Sequence, residues 1–217
     1  WDVNKKGKSA CQAGSLIFHN WQDPHYNAKE TTLARGFHIE FPRQWFEQQQ
    51  LKTPLWEGSS LIDHPTSHLL LAQLFFEFRF QDEHSKLSIE LLLLQLCENI
   101  REQNLPRAST PAWIDTLKQL LQEETTPLSL EMLSGQLGVH PIHISRAVPK
   151  YLGCSLGDYI RRQKIKRALA YFFNPQLSLT EIAYLCGFAD QSHFTRTFKS
   201  YLKQTPSAFR KGIKQRL

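Results

Sequence analysis

The chain is expected to be mainly α, with an all-α C-terminal half in which two helix-turn-helix motifs are joined by a long helix. Three observations point there. One stretch is written twice: Leu128-Ser129-Leu130 returns as Leu177-Ser178-Leu179, Leu133-Ser134 as Ile182-Ala183 and Gly138-Val139 as Gly187-Phe188, all at a shift of 49. The shift is 50 for Ser145-Arg146 against Thr195-Arg196 and for Tyr151-Leu152 against Tyr201-Leu202, so one extra residue has entered where a turn belongs. A period of this size marks a repeated supersecondary unit, and a helix-turn-helix offers one basic helix per copy to a groove. Between the copies, Ser155–Phe173 has no Gly or Pro after Gly157, and Ile165, Ala168, Leu169 and Phe172 mark a helical stripe. Upstream, Ser67–Phe80 and Lys86–Gln103 are apolar around much of their circumference, as covered helices are.

A length of 217 residues leaves room for two domains, and an apolar share of 41% is enough for real cores. No apolar run reaches the roughly 18 residues of a membrane span; Leu69–Phe80 is interrupted by Gln73, Glu77 and Arg79. The chain opens on Trp1 with no charged-then-apolar leader, which reads as a piece of a longer polypeptide. Its net charge of +6 is unevenly placed. Residues 1–126 hold 12 Lys/Arg against 16 Asp/Glu, a net −4, and residues 127–217 hold 14 against 4, a net +10. That split fits either a solvated basic surface or a polyanion binder carrying a regulatory domain, and the repeat favours the binder. Cys11, Cys97, Cys154 and Cys186 form no CxxC pair or zinc-finger spacing. Cys97 and Cys186 lie on apolar stripes as core thiols, which fits a reducing cytoplasm.

In the N-terminal half, Ser15–Phe18 and Arg35–Phe41 read as strands. In the second, Phe37, Ile39 and Phe41 alternate with His38 and Glu40. Ala13-Gly14 and Gln22-Asp23-Pro24 read as turns. Pro42 opens a short helix through Trp45 and Phe46. The two apolar helices would pack on each other, on the sheet and on a second subunit. Domains of 1–104 and 112–217 are expected, with a Pro/Ser/Thr linker at 105–111.

Trp113–Glu123 opens the second domain with Trp113, Leu117, Leu120 and Leu121 inward. In the first copy, Leu130, Leu133 and Leu137 share a face and Gly138 supplies the positive φ that ends the helix. His140-Pro141 starts the first recognition helix. Its Ile144, Val148 and Tyr151 face inward; Ile142, His143, Ser145 and Arg146 face out. In the second copy Ser178 and Glu181 make a capping box, and Asp190 or Ser192 caps the second recognition helix. Phe194, Phe198, Tyr201 and Leu202 anchor it; Gln191, His193, Thr195, Arg196 and Lys199 face out.

A connector helix of ~17 residues spans about 25 Å, which with the width of each motif suits successive major grooves ~34 Å apart. Arg146 and Arg196 hold matching places in the two copies, and Arg can bond guanine O6 and N7 together, worth ~1–3 kcal/mol against a wrong base. The alternative is that both touch phosphate only. Lys199, Lys203 and Arg210 read as phosphate contacts. Arg161, Arg162, Lys164, Lys166 and Arg167 coat the connector, either for phosphate or as a solvated face.

The run from Ile182-Ala183 through Gly187-Phe188, Asp190, Ser192, Phe194, Arg196 and Phe198-Lys199 to Pro206, Phe209 and Arg210 resembles the AraC/XylS-type signature, IA-x3-GF-x-D-x-S-x-F-x-R-x-F-K…P-x-x-F-R. The resemblance covers about Trp113–Arg210. Gly14–Phe46 and the two helices after it look like the tail of a cupin-type effector domain, a truncated cupin-like β-sheet, with two antiparallel dimerisation helices. The resemblance implies a bacterial, cytoplasmic, nucleoid-associated transcription regulator, more often an activator. Its implied partners are the major groove of double-stranded DNA, a second copy in a homodimer, RNA polymerase and a small-molecule effector; no cofactor, metal or membrane is implied. By motif position, base contacts fall on Ile142, Ser145 and Arg146, then on Gln191, Ser192, His193, Thr195 and Arg196. Arg161 and Lys164 join Lys199, Lys203 and Arg210 as phosphate contacts.

Several residues depart from the pattern. Pro149 stands where the family has Lys and is expected to kink or shorten the first recognition helix. Val148 replaces Phe, Ser134 replaces Ala, Lys203 replaces Gly and Lys164 replaces Arg. A different reading makes the chain a metal-dependent cupin-type enzyme with a basic accessory domain, using His19, His25, His38, Glu30 and Glu40. Their irregular spacing argues against it, and no nucleophile–base pair or phosphate loop is visible. A third reading is a thiol sensor using Cys97 or Cys186.

Overall fold

In the computed structural model the chain divides into two units, Trp1–Leu105 and Pro106–Leu217. The structure describes residues 2–4, 7–11, 14–19, 24–28, 36–51, 59–104, 110–123 and 128–214. Most of the expected linker, Ala13, Gln22, Asp23, Glu30 and Arg35 therefore lie outside the described residues, while Gly14 is in a turn at φ 85°.

The N-terminal unit holds two small antiparallel sheets. Strand β1 (Asp2–Asn4) lies between β2 (Gly7–Ser9) and β4 (Tyr26–Asn27), while β3 (Leu16–His19) pairs with β5 (Ser59–Ile62), Leu16 opposite Ile62 and His19 opposite Ser59. The strand expected at Ser15–Phe18 is β3. The one expected at Arg35–Phe41 is a correction: no strand runs through residues 36–41. Its alternating apolar residues are satisfied by packing rather than by a ladder. Phe37 meets Phe75 edge-on at 5.5 Å, and Ile39 and Phe41 pack on the core with Trp45 and Phe46 of α1 (Arg43–Gln48). A strand also needs a partner edge to take its backbone groups.

Helices α2 (Pro65–Arg79) and α3 (Ser85–Asn104) cover this core, which centres on Ile62, Leu70, Leu74, Leu96, Cys97 and Ile100. Ser67 near the start of α2 donates to Asn99 near the end of α3 at 2.7 Å, so the two helices run antiparallel. Phe78, Phe80, Leu87 and Leu91 remain about half exposed or more.

The C-terminal unit is all-α: α4 (Ala112–Glu123), α5 (Leu130–Leu137), α6 (Pro141–Leu152), α7 (Leu156–Tyr171), α8 (Leu179–Leu185), α9 (Gln191–Leu202) and α10 (Pro206–Lys214). Local chemistry places their ends. Ser129 Oγ accepts from Met132 N–H, and Gly138 ends α5 at φ 64°. Ser178 and Glu181 form the reciprocal capping box of α8, and Asp190 caps α9 by accepting from His193 N–H at 2.7 Å. The extra residue of the second copy is Ala189, between Phe188 and that cap; in the first copy Val139 leads directly to the cap His140.

Pro149 neither ends nor shortens α6, which is 12 residues long, the same as α9. The ring sits on the exposed face, while Val148 and Leu152 on either side are buried and hold the last turn in place. Gly153 N–H then donates back to the Pro149 carbonyl at 3.0 Å. Helices α6 and α9 end differently: Gly153 closes α6 at φ 69°, whereas Lys203 closes α9 at φ 60°, where a Cβ is strained.

Two cores result. Around the first copy, Ile114, Leu117, Leu121, Leu133, Ile144, Val148, Leu152 and Tyr159 are buried together. The second copy is aromatic: Phe172 packs on Phe198 at 5.3 Å and Phe209 at 5.0 Å, and Phe194 lies between Phe188 and Phe198. Burial pushes the Cys97 and Cys186 thiols up to about 12, which favours the neutral thiol and gives the thiol-sensor reading no support.

Helix α7 is fastened to its neighbours by polar side chains. Arg167 donates to the Gln122 carbonyl of α4 at 3.0 Å. Lys164 donates to the Gly187 carbonyl in the turn of the second copy, and its ammonium lies 5.4 Å from the centre of the Phe188 ring. Tyr201 of α9 donates its hydroxyl to Asp158, whose carboxylate also pairs with Arg162 at 2.7 Å and Arg161 at 3.6 Å. Burial opposes the charged form of Asp158, but the Tyr201 hydrogen bond and the two Arg charges outweigh it and hold the carboxyl below its usual value.

Two outcomes follow for stability. Lys203→Gly should stabilise the C-terminal unit by about 1 kcal/mol by relieving the left-handed Cβ, read as a higher urea midpoint. A carboxyl lowered on folding stabilises above its unfolded value of 3.8 and loses that contribution as pH falls through the folded value. The stability gap between wild type and Asp158→Asn should therefore be constant above pH 3.8 and close below it in acid titration followed by circular dichroism.

Candidate nucleic-acid interface

Helices α6 and α9 each bury one face and leave the other bare. In α6, Ile144, Val148 and Leu152 are buried, while Ile142 (57% exposed), Ser145 and Arg146 are exposed. In α9, Phe194, Thr197, Phe198 and Leu202 are buried, and Gln191, Ser192, Arg196 and Lys199 are exposed. Spacings of three and four put Gln191, Thr195 and Lys199, with Ser192 and Arg196 beside them, on one stripe. Arg146 and Arg196 occupy the same place in helices of equal length.

Two expected outward residues are held closer than expected. The His193 ring stands edge-on to Phe188 at 5.4 Å and is half-buried, as is Thr195. Gln191 is steadied from α8, where the Thr180 hydroxyl donates to its Oε1. His143 lies 5.9 Å from Trp113, so the first turn of α6 leans on α4.

The expected phosphate residues separate into two groups. Lys199 and Lys203 are exposed on or just past the last turn of α9, with Lys203 Nζ donating to the Ser200 carbonyl at 3.0 Å. Arg161 and Lys164 donate to groups far away in sequence, and Arg210 is half-buried over a ring. Arg161 Nε donates to Tyr201 at 3.4 Å and pairs with Asp158. The Arg210 guanidinium lies 5.5 Å from the centre of the Phe172 ring. Lys164 is half-buried; burial, then the nearby Arg167 charge, lowers its pKa.

The Asp158–Tyr201 and Lys164–Gly187 links do not emerge from the sequence reading. A signal for the first was present: Asp158 is the sole acid in Ser155–Phe173, three and four residues before Arg161 and Arg162.

The histidines of the N-terminal unit are arranged otherwise than as a metal centre. His19 Nε2 lies 3.2 Å from buried Asp2, its Nδ1 lies 2.9 Å from Ser59 Oγ, and its ring stacks on His25 at 3.6 Å. His38 and Glu40 are exposed. Among the described residues no group of three or more His, Cys, Asp or Glu could hold a metal ion, and no helix is long and apolar enough to cross a membrane.

A family model described as a helix-turn-helix domain matches residues 133–212, spanning both copies from α5 to α10. Among curated proteins, the probable transcription factor PqrA of Proteus vulgaris is 30% identical over 100 residues, 46% of this chain and 79% of that protein. The Msm operon regulatory protein of Streptococcus mutans is 26% identical over 193 residues, 85% of this chain and 62% of that protein. Among solved structures, the C-terminal domain of AraT, a response regulator from Geobacillus stearothermophilus, aligns with a TM-score of 0.45 at 24% identity. That alignment covers 48% of this chain and 88% of that one. The regulator names of these relatives give the metal-dependent enzyme reading no support. Identity of 30% carried across 79% of a transcription factor places this chain in the AraC/XylS-type family of DNA-binding transcription regulators.

Proposed function

We propose that residues 112–217 read two neighbouring half-sites in the major groove of double-stranded DNA, α6 entering one and α9 the next. One observation carries this reading. Two helices of 12 residues each bury an anchor face and expose an arginine, Arg146 or Arg196, at the matching position of an internal repeat. A guanidinium so placed suits guanine O6 and N7. Ile142 and Ser145 complete the first reading surface; Gln191, Ser192, His193 and Thr195 complete the second. Lys199 and Lys203 bind the phosphates flanking α9 and add affinity without sequence information. Arg161 and Lys164, whose head groups already donate to partners inside the unit, position the motifs rather than neutralise phosphate, and Arg210 lies half-buried over the Phe172 ring.

The N-terminal unit serves association and control. The half-exposed Phe78, Phe80, Leu87 and Leu91 on and beside α2 and α3 suit burial against a second copy, making the regulator a homodimer. An effector bound to the partial cupin-like sheet would shift populations between conformers that present the DNA-binding units differently. Activation would then proceed by recruiting RNA polymerase in the cytoplasm, at the nucleoid. The chain spans 62% of the Msm regulatory protein, and these wider roles belong to the whole molecule.

Two measurements test the reading. With a duplex recovered from a randomised pool, Arg196→Ala should weaken binding by about 1–3 kcal/mol on that duplex and far less on random DNA. Equal losses on both would put Arg196 on phosphate. The slope of log affinity against log salt should fall by about 1 for Lys199→Gln and stay unchanged for Lys164→Gln, which should instead lower the melting temperature.

A further inference from the structure

Two recognition helices on one unit can demand a fixed half-site spacing only if something fixes their separation and phase. The first is tied to α7 covalently, since only Gly153, Cys154 and Ser155 stand between α6 and α7. The second has no such tether. Helix α9 follows α8 and returns to α7 through packing, so its placement depends on what holds it there. Its buried anchors, Phe194, Phe198 and Leu202, are apolar and give attraction without strong direction. A charge-assisted hydrogen bond is short and directional.

That bond sits where it has most leverage. Tyr201, in the last turn of α9, reaches across 43 residues of sequence to Asp158 in the first turn of α7. Asp158 itself follows the three-residue exit from α6, Gly153 to Ser155, with only two residues between. One carboxylate thus ties the C-terminal end of α9 to the start of α7, which only three residues separate from the end of α6. The repeat shows that this is a specialised use of the position. Tyr151, the counterpart of Tyr201 in the first copy, packs against the first apolar core. Arg161 and Arg162 brace the carboxylate from α7 itself.

We propose that the Asp158–Tyr201 hydrogen bond is a register clamp: it sets the spacing and helical phase of the two half-sites the protein accepts, making both residues specificity-determining positioning residues that never touch DNA. This rests on reading α6 and α9 as the two recognition helices. Inserting one base pair between half-sites moves them about 3.4 Å apart and turns one against the other by roughly 35°. A clamped pair loses one set of base contacts on such a duplex, whereas a loosened pair follows the DNA.

The test uses the whole chain and a duplex enriched by the wild type from a random pool, together with derivatives carrying one base pair inserted or removed between its half-sites. Wild type should bind these derivatives about tenfold or more weakly, the loss of at least one base contact. Tyr201→Phe keeps the ring and removes the hydroxyl; Asp158→Asn keeps the shape and removes the charge. Each should cut the penalty to about twofold while binding the parent duplex within a few-fold of wild type, and the double variant should do no more than either alone. A contact that served stability alone would lower the melting temperature and leave the spacing penalty intact; that result overturns the clamp, as does a wild type indifferent to spacing. If Tyr201→Phe proves unfolded by circular dichroism, Asp158→Asn decides the matter by the same penalty. Failure of the wild type to enrich any duplex would instead refute the two-helix reading itself, and the clamp with it.

Discussion

Short helices do not hold themselves together in water, and the C-terminal unit depends on that constraint. Helices α5 and α8 have eight and seven residues, well under the ~12–15 at which even favourable sequences become marginal alone. Their order comes from burial. Leu133 and Ile182 are fully buried in their respective copies, and α7 supplies Tyr159 to the first core and the residues leading to Phe172 in the second. The long helix is therefore less a spacer than a shared wall that contributes to both interiors.

Charge is distributed to match. Residues 127–217 hold four acids, Glu131, Asp158, Glu181 and Asp190. Three lie in the first turn of a helix and the fourth is a helix cap, so each meets unpaired amide donors and the positive end of a helix dipole. The negative charge is used at helix starts, leaving the exposed stripes of α6 and α9 to Arg146, Arg196 and Lys199. The basic surplus does not all face outward either. Arg161, Arg162, Lys164 and Arg167 act as fasteners inside the unit, so the net charge overstates the cation available to a polyanion.

What could be read from residue order was local. The capping box at Ser178, the stop at Gly138, the start at Pro141 and the cap at Asp190 involve partners at most a few residues away, so spacing alone reveals them. The matching arginines were legible because a repeat aligns them. Pairing across the chain was not. Strands β1, β2, β4 and β5 are two to four residues long and gain their identity from a ladder partner. Gly36–Phe41 shows the converse, an alternating pattern with no ladder, consumed by aromatic packing. Pro149 misled for a related reason: its cost is intrinsic, but its effect depends on the buried residues flanking it. The Tyr201–Asp158 bond spans 43 residues and leaves no periodic trace.

Ala189 makes the two copies non-interchangeable in a specific sense. One residue of helix corresponds to about 100° of rotation, so an alignment counted from the preceding turn and one counted from the caps His140 and Asp190 disagree by that angle. Anyone transplanting recognition residues from one copy to the other must count from the cap. Counted from the glycine, the grafted arginine would leave the exposed stripe and turn toward the flank of its own helix.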